Sequence, residues 1–358
     1  MKKVMVGMSG GVDSSVAAML LKERGFDVMG VTLKLFSDED ISNALKDGKT
    51  CCALSDAEDA RKAAEKLGIE HQIFDFRENF RQCVMKKFAD CYICGKTPNP
   101  CIECNRHIKF GHMLESAVEM GFDCIATGHY AVSEYDENSG RWLLKRPKDR
   151  SKDQTYVLYS LTQEQLSHTL FPLGSLEKAQ VREIAQKAVL GNSDKPDSQD
   201  ICFVPDGDYA SFISNFTGYE SVCGNFTDMD GKVLGQHKGI INYTVGQRKG
   251  LGIALGHPAY VVKKDIAANT VTLGLEFDLY TKSLTANDFN LISVAELTQP
   301  MRVTAKTRYS QREQSAVVSY LGNGEYLVEF DEPQRAVTSG QAVVLYDGDI
   351  VVGGGTII

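Results

Sequence analysis

The sequence lacks any apolar stretch close to the roughly 18 residues that a membrane-spanning helix requires. We also expect no secretory leader or transit peptide, because the short apolar run after the first lysines is broken at Ser9-Gly10-Gly11. Cysteine is sparse, with 10 in 358 residues, which excludes a disulfide-stapled scaffold. We therefore predict a cytoplasmic protein, with no membrane partner, whose reduced thiols serve catalysis, metal binding or packing.

Positive charge is also scarce, since 39 Lys and Arg residues face 47 Asp and Glu residues, for a formal net charge of −8. Over the whole chain, this balance counts against a nucleic-acid-binding protein, which is usually basic. Hydrophobic residues at 43% and charged residues at 24% are ordinary for a globular protein and exclude a disordered or fibrous chain. A length of 358 residues predicts two or three domains, each large enough for its own core.

Strand and helix patterns alternate through the first half of the chain. This order predicts an α/β fold with a parallel sheet covered by helices on both faces, and with ligands bound at the carboxyl ends of the strands. Strands are predicted over residues 3–8, 27–35, 70–75 and 124–127, and helices over 12–24, 56–67 and 110–120. The polar segment 36–50 is predicted to be a loop insertion.

Beyond residue 205 the pattern changes to short β-rich runs separated by Gly, Asp and Asn. These runs predict two small β-rich domains after the α/β domain. The predicted division is 1–205, 206–283 and 284–358, and the last of these domains is predicted to be a β-barrel.

The segment from Ser9 to Ser15 joins the first predicted strand to the first predicted helix. Its two glycines let the backbone approach an anion, and a helix N-terminus presents N–H groups and the positive end of a dipole. Asp13 is unusual beside phosphates, so it either holds Mg²⁺ or orders the loop. A plain glycine-rich turn is the alternative, and the whole heptapeptide favours a phosphate site over it.

Two Cys-x-x-Cys pairs, Cys91/Cys94 and Cys101/Cys104, are separated by six residues. Zinc ribbons space their pairs by about 15–20 residues, so a compact zinc knuckle is the less favoured interpretation. Basic residues follow Cys104 closely, and such charge lowers the pKa of a thiol. Cys104 is therefore a candidate reactive thiol.

Cys202 lies in a polar, proline-containing loop over residues 195–203, where a lone cysteine is often incidental. The other cysteines occur in the insertion, in a predicted helix, in a predicted strand and in the β-rich part. These five are predicted to be structural or surface thiols: Cys51, Cys52, Cys83, Cys124 and Cys223.

A series of segments resembles, in the same order, the bacterial-type tRNA-specific 2-thiouridylases. The resemblance runs from end to end, and it begins with a loop similar to the pyrophosphate loop of the ATP-pyrophosphatase (PP-loop) superfamily. The matching segments are 9–15, 97–110, 126–130, 151–156, 195–203, 243–252, 308–309, 334–337 and 340–341. It implies that the α/β domain is a PP-loop catalytic domain and that the terminal barrel contacts tRNA.

The resemblance also implies a reaction. ATP, with Mg²⁺, adenylylates O2 of the wobble uridine, position 34, in the tRNAs for Lys, Glu and Gln, and pyrophosphate and then AMP leave. Sulfur arrives as a persulfide on Cys202 from a cysteine desulfurase or a sulfur-relay carrier, and Cys104 is the nucleophile or resolving thiol. A persulfide is a reversible modification of a reactive thiolate, and its resolution leaves a Cys104–Cys202 disulfide.

Site residues follow from the resemblance position by position. The implied ATP site comprises Gly7, Met8, Ser9, Gly10, Gly11, Val12, Asp13, Ser14, Ser15, Leu33 and Gly128. The implied contacts to the target base are Asn99, Pro100 and Cys101. The implied tRNA contacts are His129, Lys152, Asp153, Gln154, Arg308, Tyr309 and Gln341. The alternative for His129 is a local hydrogen bond, and for the other tRNA contacts it is a solvated surface position.

Two positions depart from the family pattern. Leu33 stands where the family commonly has Met, and an apolar contact with adenine survives this change. Cys101 stands where many members have Asp. The alternative mechanism is therefore a 4Fe–4S cluster held by Cys101, Cys104 and Cys202, with one iron open to sulfide, and the persulfide route is favoured over it.

Positive charge is locally concentrated in spite of the acidic total. Residues 141–152 hold six basic residues and one acid, and residues 302–312 hold four basic residues and no acid. Residues 81–112 and 238–249 are also locally basic. Because RNA phosphates respond to the local field, we predict a basic face and a tRNA affinity that falls as salt rises.

Overall fold

The structure is a computed structural model, and it describes residues 1–37, 54–190 and 201–358. Cys51, Cys52, most of the predicted insertion and residues 195–200 ahead of Cys202 lie outside the described residues. The strands are β1 Lys3–Gly7, β2 Asp27–Lys34, β3 Glu70–Asp75, β4 Cys124–Ala126, β5 Val132–Asp136, β6 Arg141–Lys145, β7 Thr169–Leu170, β8 Gly224–Thr227, β9 Val233–His237, β10 Tyr260–Asp265, β11 Thr270–Gly274, β12 Tyr280–Leu291, β13 Met301–Lys306, β14 Gln314–Gly322, β15 Glu325–Arg335, β16 Ala342–Asp347 and β17 Ile350–Ile357. The α-helices are α1 Val12–Glu23, α2 Leu54–Leu67, α3 Arg77–Phe80, α4 Lys87–Ile93, α5 Pro100–Glu103, α6 Met113–Glu119, α7 Gln163–Ser167, α8 Lys178–Lys187 and α9 Tyr209–Thr217.

Two of the α-helical segments are continued by π-helical turns. Arg81–Lys86 joins α3 to α4, and Cys104–His112 joins α5 to α6. The helix predicted over 110–120 therefore begins in a π-helical stretch. Such turns are rare, and they occur frequently at functional sites.

The first sheet has five parallel strands in the order β3-β2-β1-β4-β7. In β1, Val4, Met5 and Val6 are fully buried, because helices cover both faces of the sheet. The prediction of an α/β fold with a parallel sheet is confirmed. The strand order brings the carboxyl ends of β1, β2 and β4 together at one edge.

The second half of the chain forms two further sheets. Four strands pair in the order β10-β11-β8-β9. Six antiparallel strands pair in the order β12-β15-β14-β13-β16-β17 and close through the pairing of β12 with β17. The predicted terminal β-barrel is therefore confirmed.

One hairpin of the first domain belongs to the barrel sheet. Strands β5 and β6 pair with each other, and Lys145 of β6 pairs with Ile350 of β17. Leu144 and Tyr156 share a buried core with Val344 and Tyr346 of β16. Strand β12 begins at Tyr280, ahead of the predicted division at 283/284. The division into 1–205, 206–283 and 284–358 stays a prediction.

Helix α9 packs against the first half of the chain. Phe212 and Ile213 of this helix are buried with Phe88 and Phe203 in one cluster. Across the described residues, no helix is both long and apolar enough to span a membrane.

Candidate active site at the edge of the parallel sheet

The turn after β1 has a backbone that only small residues permit. Gly10 has φ +71°, and a β-carbon there would overlap the carbonyl oxygen of Asp56. Gly128, in the loop after β4, lies so close to α1 that a β-carbon would be 2.7 Å from the backbone nitrogen of Ser14. The loop between β1 and α1 is thus closely packed on two sides, by Asp56 against Gly10 and by Gly128 against Ser14.

Hydroxyl groups of the loop hold its own backbone. Ser14 and Ser15 each donate a hydrogen bond to the carbonyl oxygen of Gly11 at 3.1 Å. The backbone N–H of Ser9 donates to Ser14 Oγ at 3.2 Å. Gly11 is the N-cap residue of α1 and has no side chain to cap the first turn. The two serines therefore shape the loop, and the first-turn N–H groups are positioned for an anionic ligand.

Asp13 is held by two residues that are distant in sequence. Lys178 of α8 donates to both carboxylate oxygens at 2.8 Å, and Tyr130 Oη donates to Oδ1 at 2.8 Å. Lys178 is only 9% exposed. Of the two roles considered for Asp13, this geometry favours loop ordering over Mg²⁺ binding, since a lysine faces both of its oxygens. The sequence motif contained no signal for Lys178.

The opposite side of the loop is tied to β2. Thr32 Oγ1 donates to the carbonyl oxygen of Met8 at 2.8 Å, and His71 Nε2 lies 2.9 Å from the same hydroxyl. Leu33, the next residue of β2, is partly buried and packs against two hydrophobic clusters, one of which includes Cys104. Leu33 thus packs against the cluster that contains Cys104, one residue after the threonine that holds the loop.

A short turn carries Cys101, the first cysteine of the second Cys-x-x-Cys pair. Asn99 is the N-cap of α5, and its Oδ1 accepts from the N–H of Cys101 at 3.1 Å. Pro100 occupies the first helical position, which suits its fixed φ. Cys101 is exposed, whereas Cys104, one turn later, is only 9% exposed.

Cys104 and Cys202 belong to the same hydrophobic cluster. Cys104 is buried with Phe88, Ile108 and Phe203, and Cys202 is partly buried and packs against this cluster. Burial raises the pKa of the Cys104 thiol to about 11, while the charge of Lys109 lowers it and that of Cys101 raises it. The basic residues after Cys104 were expected to lower this pKa, and burial outweighs them.

The π-helical stretch that starts at Cys104 is fastened on two sides. Arg106 forms a two-pronged ion pair with Asp288 of β12, with N–O distances of 2.5 and 3.1 Å. Asn105 is 2% exposed and donates to the carbonyl oxygen of Val157 at 2.9 Å. The barrel therefore fixes the position of the helix that carries the buried thiol.

The turn before Cys101 is also held by the barrel. Gln341 Nε2 donates to the carbonyl oxygen of Thr97 at 2.8 Å. The N–H of Thr97 donates to the carbonyl oxygen of Ser339 at 2.9 Å. A β-carbon on Gly340 would lie 2.9 Å from Cβ of Lys96. Gln341 thus positions the turn that carries Asn99, Pro100 and Cys101, and its contact with tRNA stays a prediction.

His129 is buried behind the loop. It is 8% exposed, and its Nδ1 lies 2.7 Å from Thr127 Oγ1. Burial holds its pKa well below 6.5, and the charge of Lys109 lowers it further, so the imidazole is neutral at pH 7. The structure thus gives His129 the local hydrogen bond that was the alternative, and a contact with tRNA stays a prediction.

The segment with Lys152, Asp153 and Gln154 lies against the loop after β4. Asp153 Oδ1 accepts from the N–H and the hydroxyl of Thr155 at 2.9 and 2.6 Å. Gln154 Oε1 accepts from the N–H of Tyr130 at 2.8 Å. Lys152 ends a 3₁₀ turn and is partly buried. Asp153 and Gln154 are therefore structural residues here, and the tRNA contacts of this segment stay predictions.

Arg308 and Tyr309 occupy a barrel loop beside the active-site turn. Arg308 Nη2 donates to the carbonyl oxygens of Val245 and Ala336 at 3.2 and 3.0 Å, and burial lowers the pKa of this guanidinium. Tyr309 is 44% exposed. Burial raises its pKa, and the charges of Asp153 and Cys101 raise it further. Tyr309 is the more exposed of the two, and the tRNA contacts of both residues stay predictions.

Ion pairs reduce the charge of the basic stretch 141–152. Lys145 pairs with Glu134 at 2.8 Å, Lys148 with Glu177 at 3.4 Å, and Arg146 and Arg150 pair with Glu313 and Asp349. Arg141 donates to the carbonyl oxygens of Leu291 and Ile292. These side chains mainly join the first domain to the barrel. The number of basic residues in this stretch therefore overstates the positive potential that it produces. The predicted basic face stays a prediction.

In the part of the chain that the structure describes, no three His, Cys, Asp or Glu side chains lie close enough together to hold a metal ion. Cys101 is exposed while Cys104 is buried, so the two thiols face different surroundings. Cys91 is partly buried and Cys94 is exposed. The arrangement therefore fits neither the cluster ligands Cys101, Cys104 and Cys202 nor a knuckle that includes Cys91 and Cys94. Of the remaining cysteines, Cys124 is buried, Cys83 partly buried and Cys223 exposed.

Comparison with protein families gives three matches along the chain. A model described as a tRNA methyl transferase HUP domain matches residues 2–206. A tRNA methyl transferase PRC-barrel domain matches residues 210–275, and an aminomethyltransferase beta-barrel domain matches residues 281–357.

Curated relatives match over the full length. The tRNA-specific 2-thiouridylase MnmA of Acetivibrio thermocellus is 56% identical over 356 residues, which are 99% of this chain and 99% of that protein. The tRNA-specific 2-thiouridylase MnmA of Clostridioides difficile is 53% identical over 356 residues, which are 99% of this chain and 98% of that protein.

Solved structures match more distantly. A 4-thiouridine synthetase–RNA complex with bound ATP is 16% identical, covers 61% of this chain and 50% of that one, and has a TM-score of 0.37. NMN synthetase from Francisella tularensis is 17% identical, covers 62% and 79% of the two chains, and has a TM-score of 0.35. At these scores the structural matches carry no argument about this chain.

Proposed function

The chain belongs to the tRNA-specific 2-thiouridylase family of the PP-loop superfamily, and on this premise we propose that it thiolates C2 of a tRNA uridine at the expense of ATP. We further propose that the target is the wobble uridine, position 34, of the tRNAs for Lys, Glu and Gln. The observation that carries the proposal is the packing of Cys104 and Cys202 in one cluster that also contacts Leu33. This packing supports a sulfur-transfer site beside the nucleotide site.

ATP binding is supported by the loop between β1 and α1. Its backbone N–H groups, with the positive end of α1 behind them, would hold the pyrophosphate part of ATP. Leu33 would contact the adenine, and Gly128 leaves room for close backbone approach. Because Lys178 faces both oxygens of Asp13, we assign Mg²⁺ to the phosphates of ATP rather than to Asp13.

Adenylylation makes the uridine oxygen a leaving group. O2 of the uridine attacks the α-phosphorus of ATP, a P–O bond forms, and the bond to the β-phosphate breaks to release pyrophosphate. The loop would stabilise the negative charge that develops on the departing pyrophosphate. Asn99, Pro100 and Cys101 would hold the base, since this turn is fixed by Gln341 and Ser339 from the barrel.

Sulfur transfer then uses both thiols. Cys202 would carry a persulfide received from a cysteine desulfurase or a sulfur-relay carrier. The thiolate of Cys104 attacks the inner sulfur of this persulfide, so a Cys104–Cys202 disulfide forms and the outer sulfur leaves as hydrosulfide. Hydrosulfide attacks C2 of the adenylylated uridine, the C2–O2 bond breaks, and AMP leaves. The products are 2-thiouridine, AMP, pyrophosphate and an oxidised cysteine pair.

Two alternatives have specific consequences. A 4Fe–4S cluster on Cys101, Cys104 and Cys202 would deliver sulfide without a disulfide, but the described side chains lack a metal-binding arrangement. Methyl transfer, which two of the family descriptions mention, would need neither Cys104 nor Cys202. The cluster mechanism is distinguished from the persulfide mechanism by anaerobic purification, an absorption spectrum and an iron count. A cluster enzyme loses its activity when it loses its iron.

The direct test is a thiolation assay with purified variants. Cys104→Ser and Cys202→Ser are each incubated with ATP, a cysteine desulfurase, cysteine and tRNA for Lys, and 2-thiouridine is measured by nucleoside mass spectrometry. We expect both variants to lose 2-thiouridine formation, while Cys223→Ser, an exposed cysteine in the second half of the chain, keeps it.

AMP release provides the second readout. We expect tRNA-dependent AMP release from the wild type and none with a tRNA in which the wobble uridine is replaced by cytidine. Normal thiolation by both cysteine variants would exclude the persulfide route. Absence of any tRNA-dependent AMP release would exclude the enzyme in favour of an RNA-binding or metal-storage protein.

A further inference from the structure

The pair Cys101 and Cys104 differs sharply in accessibility within one helical turn. Cys101 is exposed and Cys104 is 9% exposed, three residues later. Cys101 lies in α5 and Cys104 directly follows that helix, and helical residues three apart are neighbours on one face. An accessible first cysteine and a buried second cysteine in a Cys-x-x-Cys turn form an arrangement suited to thiol–disulfide exchange.

The proposed reaction leaves a Cys104–Cys202 disulfide, and the burial of Cys104 makes this disulfide hard to reduce. A Cys104–Cys202 disulfide would lie against the cluster of Phe88, Ile108 and Phe203. Cys104 offers almost no surface to an external reductant, and Cys202 is only partly exposed. Thiol–disulfide exchange needs access to one of the two sulfurs, so a buried disulfide is reduced slowly.

We propose that Cys101 is a third catalytic thiol, which attacks the Cys104–Cys202 disulfide and moves it to the protein surface as a Cys101–Cys104 disulfide. This inference rests on the proposed function, because the disulfide that Cys101 resolves is the product of the proposed persulfide step. In chains with Asp at this position, the buried disulfide would have to be reduced directly.

The exchange balances without an added oxidant. The Cys101 thiolate attacks Sγ of Cys104, a Cys101–Cys104 bond forms, the Cys104–Cys202 bond breaks, and Cys202 leaves as a thiolate that is ready for a new persulfide. An external dithiol then reduces the Cys101–Cys104 disulfide in two exchange steps and is itself oxidised. The oxidising equivalent comes from the persulfide, whose outer sulfur left as hydrosulfide.

A Cys101–Cys104 disulfide can form only with a local change of the helix, and this makes the bond labile. Helical residues three apart have β-carbons about 5–6 Å from each other, and a disulfide needs about 3.5–4.5 Å. Closure must therefore draw the first turn of α5 together against the cap of Asn99. A disulfide formed under such strain is easily reduced, which suits an intermediate that must open in every cycle.

The test maps the disulfides after one round of reaction. Wild type, Cys101→Ser and Cys94→Ser are loaded with persulfide by a cysteine desulfurase and cysteine, freed of donor, mixed with ATP and tRNA, and quenched with acid and an alkylating reagent. We expect peptide mass spectrometry to find Cys101–Cys104 in the wild type and in Cys94→Ser, and Cys104–Cys202 in Cys101→Ser.

Turnover provides the second measurement. With limiting dithiothreitol, the ratio of multiple-turnover rate to single-turnover rate should fall several-fold in Cys101→Ser and stay unchanged in Cys94→Ser, whose exposed thiol belongs to the other Cys-x-x-Cys pair. A wild type that accumulates Cys104–Cys202, with an unchanged ratio in Cys101→Ser, overturns the role of Cys101. Absence of any disulfide of Cys104 from both the wild type and Cys101→Ser overturns the persulfide step itself, and with it this inference.

Discussion

Lys178 Nζ lies 2.8 Å from both carboxylate oxygens of Asp13, and the two residues are 165 positions apart in the sequence. Lys178 is almost buried, so the pair is shielded from water on the lysine side. The ion pair fixes α8 against the first turn of α1. The phosphate loop is therefore shaped by a helix that has no part in the loop motif.

Replacement of Lys178 should impair ATP binding more than folding. Lys178→Met leaves the charge of Asp13, whose side chain is 30% exposed and keeps the hydrogen bond from Tyr130, facing the phosphates without its counter-ion. We expect ATP affinity to fall by at least about tenfold, measured by isothermal titration calorimetry. Lys187→Met on the same helix is the control, since Lys187 is exposed and forms an ion pair with exposed Glu183. Equal ATP affinity in the two variants would contradict the role of Lys178.

Gly10 and Gly25 separate backbone strain from crowding. Both have a left-handed φ, but a β-carbon at Gly25 meets no atom within 4 Å, whereas one at Gly10 overlaps Asp56. An alanine in this conformation costs about 1–2 kcal/mol, so Gly25→Ala should lower stability modestly and leave ATP binding intact. Gly10→Ala should abolish ATP binding. Thermal unfolding with and without ATP measures both effects, and an ATP-dependent rise in the melting temperature of Gly10→Ala would contradict the prediction.

Arg106 and Asp288 should couple the barrel to the thiol. Arg106 is about three-quarters buried at its side chain and forms two hydrogen bonds with Asp288. A double-mutant cycle with Arg106→Gln and Asp288→Asn should give a coupling free energy of about 1 kcal/mol. Thiolation should fall in both single variants. The exposed pair Arg302–Asp331 is the control, for which we expect no measurable coupling.

A coupling no larger than that of the control pair would mean that the barrel does not position the helix of Cys104. In that case the loss of thiolation should be traced to Asn105 instead, which fastens the same stretch to Val157.

The burial of Cys104 predicts a steep dependence of rate on pH. With its pKa raised to about 11, only about one molecule in ten thousand carries the thiolate at pH 7. Single-turnover thiolation should therefore rise about tenfold per pH unit between about pH 7 and 9. A plateau below pH 8 would mean that Cys104 is not the nucleophile in the state described.

The same shift affects stability with a definite sign. The folded-state pKa of Cys104 lies above that of an exposed thiol, about 8.5. Burial of the neutral thiol therefore stabilises the fold fully below about pH 8.5, and this contribution is lost as the pH rises toward 11. Urea unfolding at pH 8 and pH 10 of the wild type and Cys104→Ala would measure it.

Local motifs predicted the parts of the site that are local in the chain. The segment from Ser9 to Ser15 specifies its own turn, and the limits of β1, β2, β3 and α1 are predicted within one or two residues. Residues brought together by the fold could not be found in this way. Lys178 beside Asp13 and Asp288 beside Arg106 depend on how the helices and the barrel pack.

Two further features had no sequence signal. The strands β5 and β6 form part of the barrel sheet, although they lie within the first predicted domain and are separated from β17 by about two hundred residues. The π-helical stretch Cys104–His112 has a composition that an α-helix would also accept. For Cys104, neighbouring charges suggested a lowered pKa, but burial, which depends on tertiary packing, reverses the direction.

The hairpin of β5 and β6 has a consequence for the order of assembly during synthesis. Leu144 and Tyr156 are buried with Val344, Tyr346 and Val351, so the first half cannot complete its core before the ribosome has made the last strands. Until then the outer edge of β6 has unpaired backbone N–H and C=O groups, with which a strand of another chain can pair. A fragment cut after residue 205 would keep that edge open permanently. The nascent chain is therefore most vulnerable to aggregation between the synthesis of β6 and that of β17.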